Sequence, residues 1–180
     1  GGIMTSLIGH EAPNFVAQAV KNGDIIDVQL KDYRGRFVVL LFYPLDFTFV
    51  CPTELLAFQE KIKHFQDRNC EILAISVDSV YTHRAWWNHE LKAVSFPIVS
   101  DITKTICLNY STLIDKGISL RGTYIIDADG LVQHMSVNNL GIGRGVDEVL
   151  RLVDAIQYHK SHGEVCPANW HSGDKGITPK

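Results

Sequence analysis

Two kinds of apolar spacing alternate along this chain. Phe37 to Tyr43, FVVLLFY, is a continuous apolar run. It is too short to cross a membrane and the right length for a strand buried on both faces. Pro44 ends it, because proline donates nothing to a sheet ladder. Leu45 to Val50 reads as a loop. From Pro52 the period changes: Leu55, Phe58, Ile62 and Phe65 fall on one face of a helix. Pro52 suits its first position, where the missing N–H is not needed. Glu71 to Asp78, EILAISVD, is a second buried strand. Strand, helix and strand in this order predict a right-handed crossover and a parallel pair.

The remaining patterns are shorter. Phe15 to Val20 and Ile25 to Leu30 flank the turn Asn22-Gly23-Asp24 and predict a hairpin. Asp32 to Arg36 reads as a turn carrying Gly35. Ser79 to Leu91 predicts a helix holding Tyr81, Trp86 and Trp87. Adjacent tryptophans cannot both face one core from a helix. Either one of them meets another surface, such as a partner subunit, or the helix is wedged between two parts of the same core. Phe96 to Val99 predicts a short strand, and Asp101 a cap for a helix from Thr103 to Tyr110. Arg121 to Asp127 and Leu131 to Val137 surround Ala128-Asp129-Gly130, the strongest hairpin signal in the chain. Asn139 to Gly145 contains GIGRG, but without Lys-Ser or Lys-Thr after it a phosphate loop is disfavoured and a turn expected. A helix from Val146 to Tyr158 follows, then a polar segment from His159 to Lys180 that reads as a mobile arm. Cys166 and Trp170 are out of place there unless the arm docks.

Composition narrows the class. The chain has 180 residues, 46% hydrophobic and 21% charged, which suits one domain with a substantial core. A formal net charge of −3 gives no electrostatic case for nucleic acid or an anionic membrane surface. Four cysteines are too few for a disulfide scaffold, and no CxxC pair points to zinc or to a dithiol motif. The eight histidines are scattered, without an HExxH pair. A reducing, cytoplasmic compartment is the default expectation. Met4 follows Gly1-Gly2-Ile3, so these residues can be a remnant or a cut end, and a removed organellar targeting segment stays open.

Cys51 carries the candidate chemistry. It stands at the first turn of a helix after a buried strand, where unpaired N–H groups and partial positive charge favour thiolate over thiol. A free cysteine is only about 3% thiolate at pH 7. The plain alternative is a buried, inert cysteine. Cys70 and Cys107 read as packing residues, since nothing nearby activates them. At the C-terminal edge of a central strand, a nucleophilic thiol has two uses. Acyl transfer needs a base, and no local cysteine–histidine signature is present. Redox attack on an O–O or S–S bond needs no base once the sulfur is ionised, but needs a second cysteine, for which Cys166 is a candidate.

The run Pro44-Leu45-Asp46-Phe47-Thr48-Phe49-Val50-Cys51-Pro52 resembles the PxxxTxxC pattern of peroxiredoxins. Arg121-Gly122-Thr123 and Gly163-Glu164-Val165-Cys166-Pro167 are similar to the typical two-cysteine branch. The resemblance implies an α/β, thioredoxin-like fold with an N-terminal hairpin extension and a C-terminal arm. Residues 1–158 are then the peroxidase domain, and residues 159–180 the arm with the resolving cysteine. It implies a peroxidase acting on hydrogen peroxide and organic hydroperoxides without metal, haem or flavin. Carried over, Cys51 is the peroxidatic cysteine, Thr48 orients the peroxide and Pro44 shields the sulfur. Arg121 favours the thiolate, Glu54 and Arg144 hold Arg121, and Tyr43 lines the pocket. Cys166, supplied by the partner subunit, resolves the sulfenic acid as an intersubunit disulfide. A thioredoxin-like or flavoprotein reductase recycles it. A homodimer assembling into a decameric ring is implied, with Phe47, Thr82, Trp86 and Trp87 at dimer–dimer contacts.

Two departures from the over-oxidation-sensitive members stand out. Leu91-Lys92-Ala93-Val94-Ser95 replaces their GGLG loop, and no terminal helix with a Tyr-Phe pair follows Cys166. The expectation is a pocket that opens easily and resists sulfinic inactivation. The alternatives weighed against the peroxidase are a chaperone-like or redox-signalling assembly and a cysteine hydrolase.

Overall fold

The computed structural model describes residues 6–180, so the expectation for Gly1 to Met4 lies outside the described residues. The chain separates into two compact units, one running to Arg144 and the other Gly145–Lys180.

The first unit is built on a mixed sheet. Its strands are β1 (Val16–Lys21), β2 (Asp24–Gln29), β3 (Phe37–Phe42), β4 (Cys70–Ser76), β5 (Ile98–Ser100), β6 (Arg121–Ile126) and β7 (Val132–Asn138), in spatial order β2-β1-β5-β4-β3-β6-β7. β3 pairs in parallel with β4 and antiparallel with β6, so both its edges are closed. That is why its residues are apolar without alternation: every one is buried. Val38, Leu40 and Phe42 join a core cluster with Tyr110 and Tyr124. The ring centroids of Phe42 lie 5.4 and 5.9 Å from those two tyrosines. Phe37, Val39, Leu41 and Tyr43 alternate to the opposite face.

The helices are α1 (Cys51–Glu60), α2 (Ile62–Asp67), α3 (Val80–Glu90) and α4 (Thr105–Asn109). The single helix expected from Pro52 to Phe65 is broken at Lys61, where a tightened turn sends the Lys61 N–H to the Phe58 carbonyl at 3.1 Å. Leu55, Phe58 and Phe65 are still buried on one side. α4 is shorter than expected because Lys104 adopts a left-handed φ of 65°. Asp101 does cap it, accepting from the N–H groups of Ile106 and Cys107 at 3.1 and 2.8 Å. The hairpin of β6 and β7 closes through more than a two-residue turn, with a bulge at Ile125/Ile126.

The paired tryptophans of α3 are reconciled within the chain. Trp86 is fully buried against Tyr43, with ring centroids 5.6 Å apart. Trp87 covers the β1–β2 turn and donates from its indole to the Val94 carbonyl at 3.0 Å. Gly23 of that turn has φ 84°, and a Cβ there would meet the Trp87 ring at 2.9 Å. The helix is therefore wedged between two parts of one core. Trp86 offers no exposed surface to a partner, which corrects its expected place at a subunit contact.

The second unit holds α5 (Val146–His162), which runs one turn past the expected Tyr158 and ends at Gly163 with φ 68°. The segment after it is not loose chain. Val165 and Ile177 exchange backbone hydrogen bonds at 2.9 Å, and Trp170 is 3% exposed. The buried indole is what closes this loop, so its composition alone was a poor guide.

Candidate active site

Cys51 is the first residue of α1 and has no exposed surface. Pro52 occupies the start of the helix, as its lack of an N–H allows. The loop before it turns sharply: Phe47 has a left-handed φ of 59°, uncommon for a bulky residue. Its half-exposed ring leans on Trp86 and His89, at 6.3 and 5.9 Å. This turn brings the Thr48 hydroxyl to 3.1 Å from the Cys51 sulfur and 2.8 Å from the Leu45 carbonyl. One hydroxyl proton serves one acceptor at a time. Thr48 therefore donates to Leu45 while accepting from an S–H, or donates to a sulfur that has lost its proton. Pro44 is buried beneath the same loop.

Arg121 reaches the sulfur from β6. Its Nη1 donates to Cys51 Sγ at 3.2 Å and to Glu54 Oε1 at 2.8 Å, while Nε donates to the Leu140 carbonyl at 2.8 Å. Arg144 closes the other side of Glu54. Its Nε and backbone N–H donate to Oε2 at 2.7 and 2.9 Å, and Nη2 donates to Oε1 at 2.9 Å. Its Nη1 donates to the Gly122 carbonyl at 2.7 Å. Gly122 must lack a side chain here, since a Cβ would meet Thr112 at 2.7 Å. All three charged side chains are nearly fully buried. Burial alone pushes the Glu54 carboxyl up, but the hydrogen bonds and charge of Arg144, with the charge of Arg121, outweigh it and hold the group below its usual range. Two guanidinium groups share one carboxylate, leaving one buried positive charge in excess, aimed at the sulfur.

Tyr43, directly after β3, is fully buried. Its hydroxyl enters a buried network, donating to Asp46 Oδ1 at 2.6 Å. Asp46 Oδ2 lies 2.6 Å from His83 Nδ1, and His83 Nε2 donates to the Val99 carbonyl at 3.0 Å. The Asp46 N–H donates to Asp78 Oδ2 at 3.0 Å. Burial, then the charge of Asp46, raises the Tyr43 hydroxyl well above its ordinary value, and burial also raises Asp46. This brace ties the loop between β3 and α1 to α3 and β5. The sequence reading missed it because Asp46 and His83 lie 37 residues apart with no shared motif. Ligand atoms of Asp46, Asp78 and His83 lie within 4.8 Å of one another, but each already has a partner in the protein, so the group reads as a lock rather than a metal centre.

The other cysteines are distinct. Cys70 and Cys107 are buried, and burial pushes both thiols up to about 12. Cys166, in the second unit, is partly buried and donates to the Ala155 carbonyl at 3.4 Å. Among the described residues, no helix is long and apolar enough to cross a membrane.

Known proteins resemble this chain in sequence and in fold. The AhpC/TSA family model matches residues 8–135, and that for the C-terminal domain of 1-Cys peroxiredoxin matches residues 155–180. The chloroplastic 2-Cys peroxiredoxin BAS1 of Hordeum vulgare is 51% identical over 180 residues, covering 96% of this chain and 86% of the relative. The mitochondrial thioredoxin-dependent peroxide reductase of Drosophila melanogaster is 51% identical over 175 residues, covering 94% of this chain and 75% of the relative. The crystal structure of reduced 2-Cys peroxiredoxin from Plasmodium vivax superposes with a TM-score of 0.95 at 46% identity, covering 98% of this chain and 95% of that one.

Proposed function

The chain belongs to the AhpC/TSA family and is a peroxiredoxin with a thioredoxin-like fold; from that premise we propose how its residues divide the peroxidase reaction. The observation that carries the reading is the pair of donors on one sulfur: Thr48 Oγ1 at 3.1 Å and Arg121 Nη1 at 3.2 Å from Cys51 Sγ.

Negative charge on the Cys51 sulfur balances the excess guanidinium. The sulfur attacks the terminal oxygen of a hydroperoxide, the S–O bond forms and the O–O bond breaks. The sulfur gives up an electron pair, and the departing oxygen leaves as alkoxide or hydroxide and takes a proton. Arg121 and Thr48 are fixed where that charge develops. The Thr48 hydroxyl orients the peroxide, Pro44 keeps water from the sulfur, and Glu54 with Arg144 holds Arg121 at its angle. Tyr43 acts through the Asp46–His83 brace, which sets the loop. Cys51 becomes a sulfenic acid.

Cys166 of the partner subunit then forms the intersubunit disulfide, releasing water. Cα atoms must approach within about 7 Å for this, and a fully buried Cys51 cannot meet another chain without unwinding the first turn of α1. A thioredoxin-like dithiol restores both thiols by exchange, a reading supported by the Drosophila relative's name. Residues 1–158 form the peroxidase domain and 159–180 the arm, whose start is the last turn of α5. The active unit is a homodimer that assembles into a decameric ring, with half-exposed Phe47 on its contact surface. A cytoplasmic location rests on cysteine usage alone, while named relatives are chloroplastic and mitochondrial; fractionation with an antibody decides it.

The test is peroxide consumption coupled to thioredoxin, thioredoxin reductase and NADPH. Turnover lost in Cys51→Ser supports the reading, and turnover retained in that variant refutes it.

A further inference from the structure

Arg151 of α5 is held on one side and holds on the other. Its Nε and Nη2 donate to the two carboxylate oxygens of Glu148, both at 2.7 Å, one turn earlier on the helix. That bidentate pair fixes the guanidinium plane. Nη1 is left aimed at the arm, where it donates to the Trp170 carbonyl at 2.9 Å.

The arm closes around this contact. The Trp170 N–H donates to the Pro167 carbonyl at 3.2 Å, so Pro167 to Trp170, directly after Cys166, is a closed turn, with Asn169 at a left-handed φ of 63°. The Trp170 ring lies 4.9 Å from that of Tyr158, and its indole donates to the Asp174 carbonyl at 3.1 Å. Beside the turn, the Tyr158 hydroxyl donates to Glu164 at 2.8 Å and accepts from the Gly176 N–H at 3.2 Å.

Cys166 sits between these closures. Its sulfur donates to the Ala155 carbonyl at 3.4 Å, one helical turn past Arg151. Such a bond needs the proton on sulfur, since a thiolate has nothing to donate to a carbonyl oxygen. Burial pushes the thiol up, the charge of Arg151 opposes this, and the charge of Glu164 adds to it. The closed arm therefore stores Cys166 as a thiol against the helix.

We propose that Arg151 is a positioning residue for the second half-reaction: its hydrogen bond to the Trp170 carbonyl clamps the arm shut, and breaking that bond releases Cys166 for disulfide formation. This rests on the reading of Cys166 as the resolving thiol. Arg151 touches no reacting atom. Its side chain is 30% exposed, so the clamp lies at the rim of the unit and opens without unfolding α5. The gated step balances without another reagent. The Cys166 sulfur attacks the sulfenic sulfur of Cys51, the S–O bond breaks as the S–S bond forms, and the hydroxyl leaves with the thiol proton as water.

The test compares the full-length reduced protein with Arg151→Met, Arg151→Lys and Glu148→Gln. Alkylation by N-ethylmaleimide is followed at each cysteine by mass spectrometry before peroxide is added. Arg151→Met should raise the rate at Cys166 about five-fold, the factor one net hydrogen bond is worth, with Cys70 and Cys107 still protected. Arg151→Lys keeps the charge but not the fork, and Glu148→Gln loosens the fork, so both should fall between. After one equivalent of peroxide, the sulfenic-to-disulfide step should quicken in the same order. An unchanged rate at Cys166 in Arg151→Met overturns the clamp. A parallel rise at Cys70 and Cys107 also overturns it, because it reports a loosened fold. A freed Cys166 with an unchanged disulfide rate overturns the gating. The alkylation readout holds whether or not Cys166 resolves, and that role is tested separately by Cys166→Ser.

Discussion

Arg121 Nη1 stands 3.2 Å from the Cys51 sulfur across 70 residues of chain, joining β6 to the first turn of α1. The contact sets a direct expectation. Arg121→Gln removes the cation and, being shorter, draws the donor back from the sulfur in a water-excluded site. The second-order rate of Cys51 with hydrogen peroxide should fall by roughly 10²–10³-fold, the loss typical of one preorganised donor. Stopped-flow measurement of the first half-reaction reads this without interference from resolution.

Glu54 gives a pH expectation. Its folded carboxyl titrates below the unfolded value, so the ion pairs stabilise the fold above the ordinary glutamate range, near 4.3, and that contribution is lost as pH falls through the depressed folded value. Glu54→Gln removes the carboxylate shared by two buried guanidinium groups and should destabilise the protein by about 3–5 kcal/mol at pH 7. The difference between wild type and variant should shrink on acidification below pH 4. Urea titrations at several pH values measure it.

His83 has no exposed surface and both ring nitrogens engaged, so His83→Ala leaves Asp46 and the Val99 carbonyl without their partner. We expect a loss of about 2–4 kcal/mol and faster hydrogen exchange at the Asp46 amide. Exchange mass spectrometry of the 43–50 segment checks the second part.

Thr123 is buried on β6, and its hydroxyl has no partner among the described residues. Thr123→Val keeps the shape and removes the unpaired group. It should raise stability by about 1 kcal/mol, read as a higher thermal midpoint.

Much of this site was legible because its signals are local. Phe37–Tyr43 reads as a doubly buried strand, Pro52 marks the helix start, and the motif around Cys51 lies in one continuous stretch. Arg121 and Arg144 became visible only through family resemblance, since nothing near either announces a partner in α1. The Asp46–His83 brace was invisible because each residue is an ordinary polar side chain until the fold buries both. Trp86 was misplaced toward a subunit contact because the sequence shows its neighbour Trp87 but not the two separate pockets they fill. The arm read as mobile from its polarity, while its order depends on Trp170 and on long-range bonds such as Arg151 to the Trp170 carbonyl.

In the proposed reaction, Cys51 and Cys166 of two subunits form the catalytic disulfide. Non-reducing electrophoresis after one equivalent of hydrogen peroxide tests it most directly. A disulfide-linked dimer is expected in the wild type and should be absent from both Cys51→Ser and Cys166→Ser. A peroxide-induced disulfide that migrates as a monomer, or a dimer that survives in either variant, would contradict it.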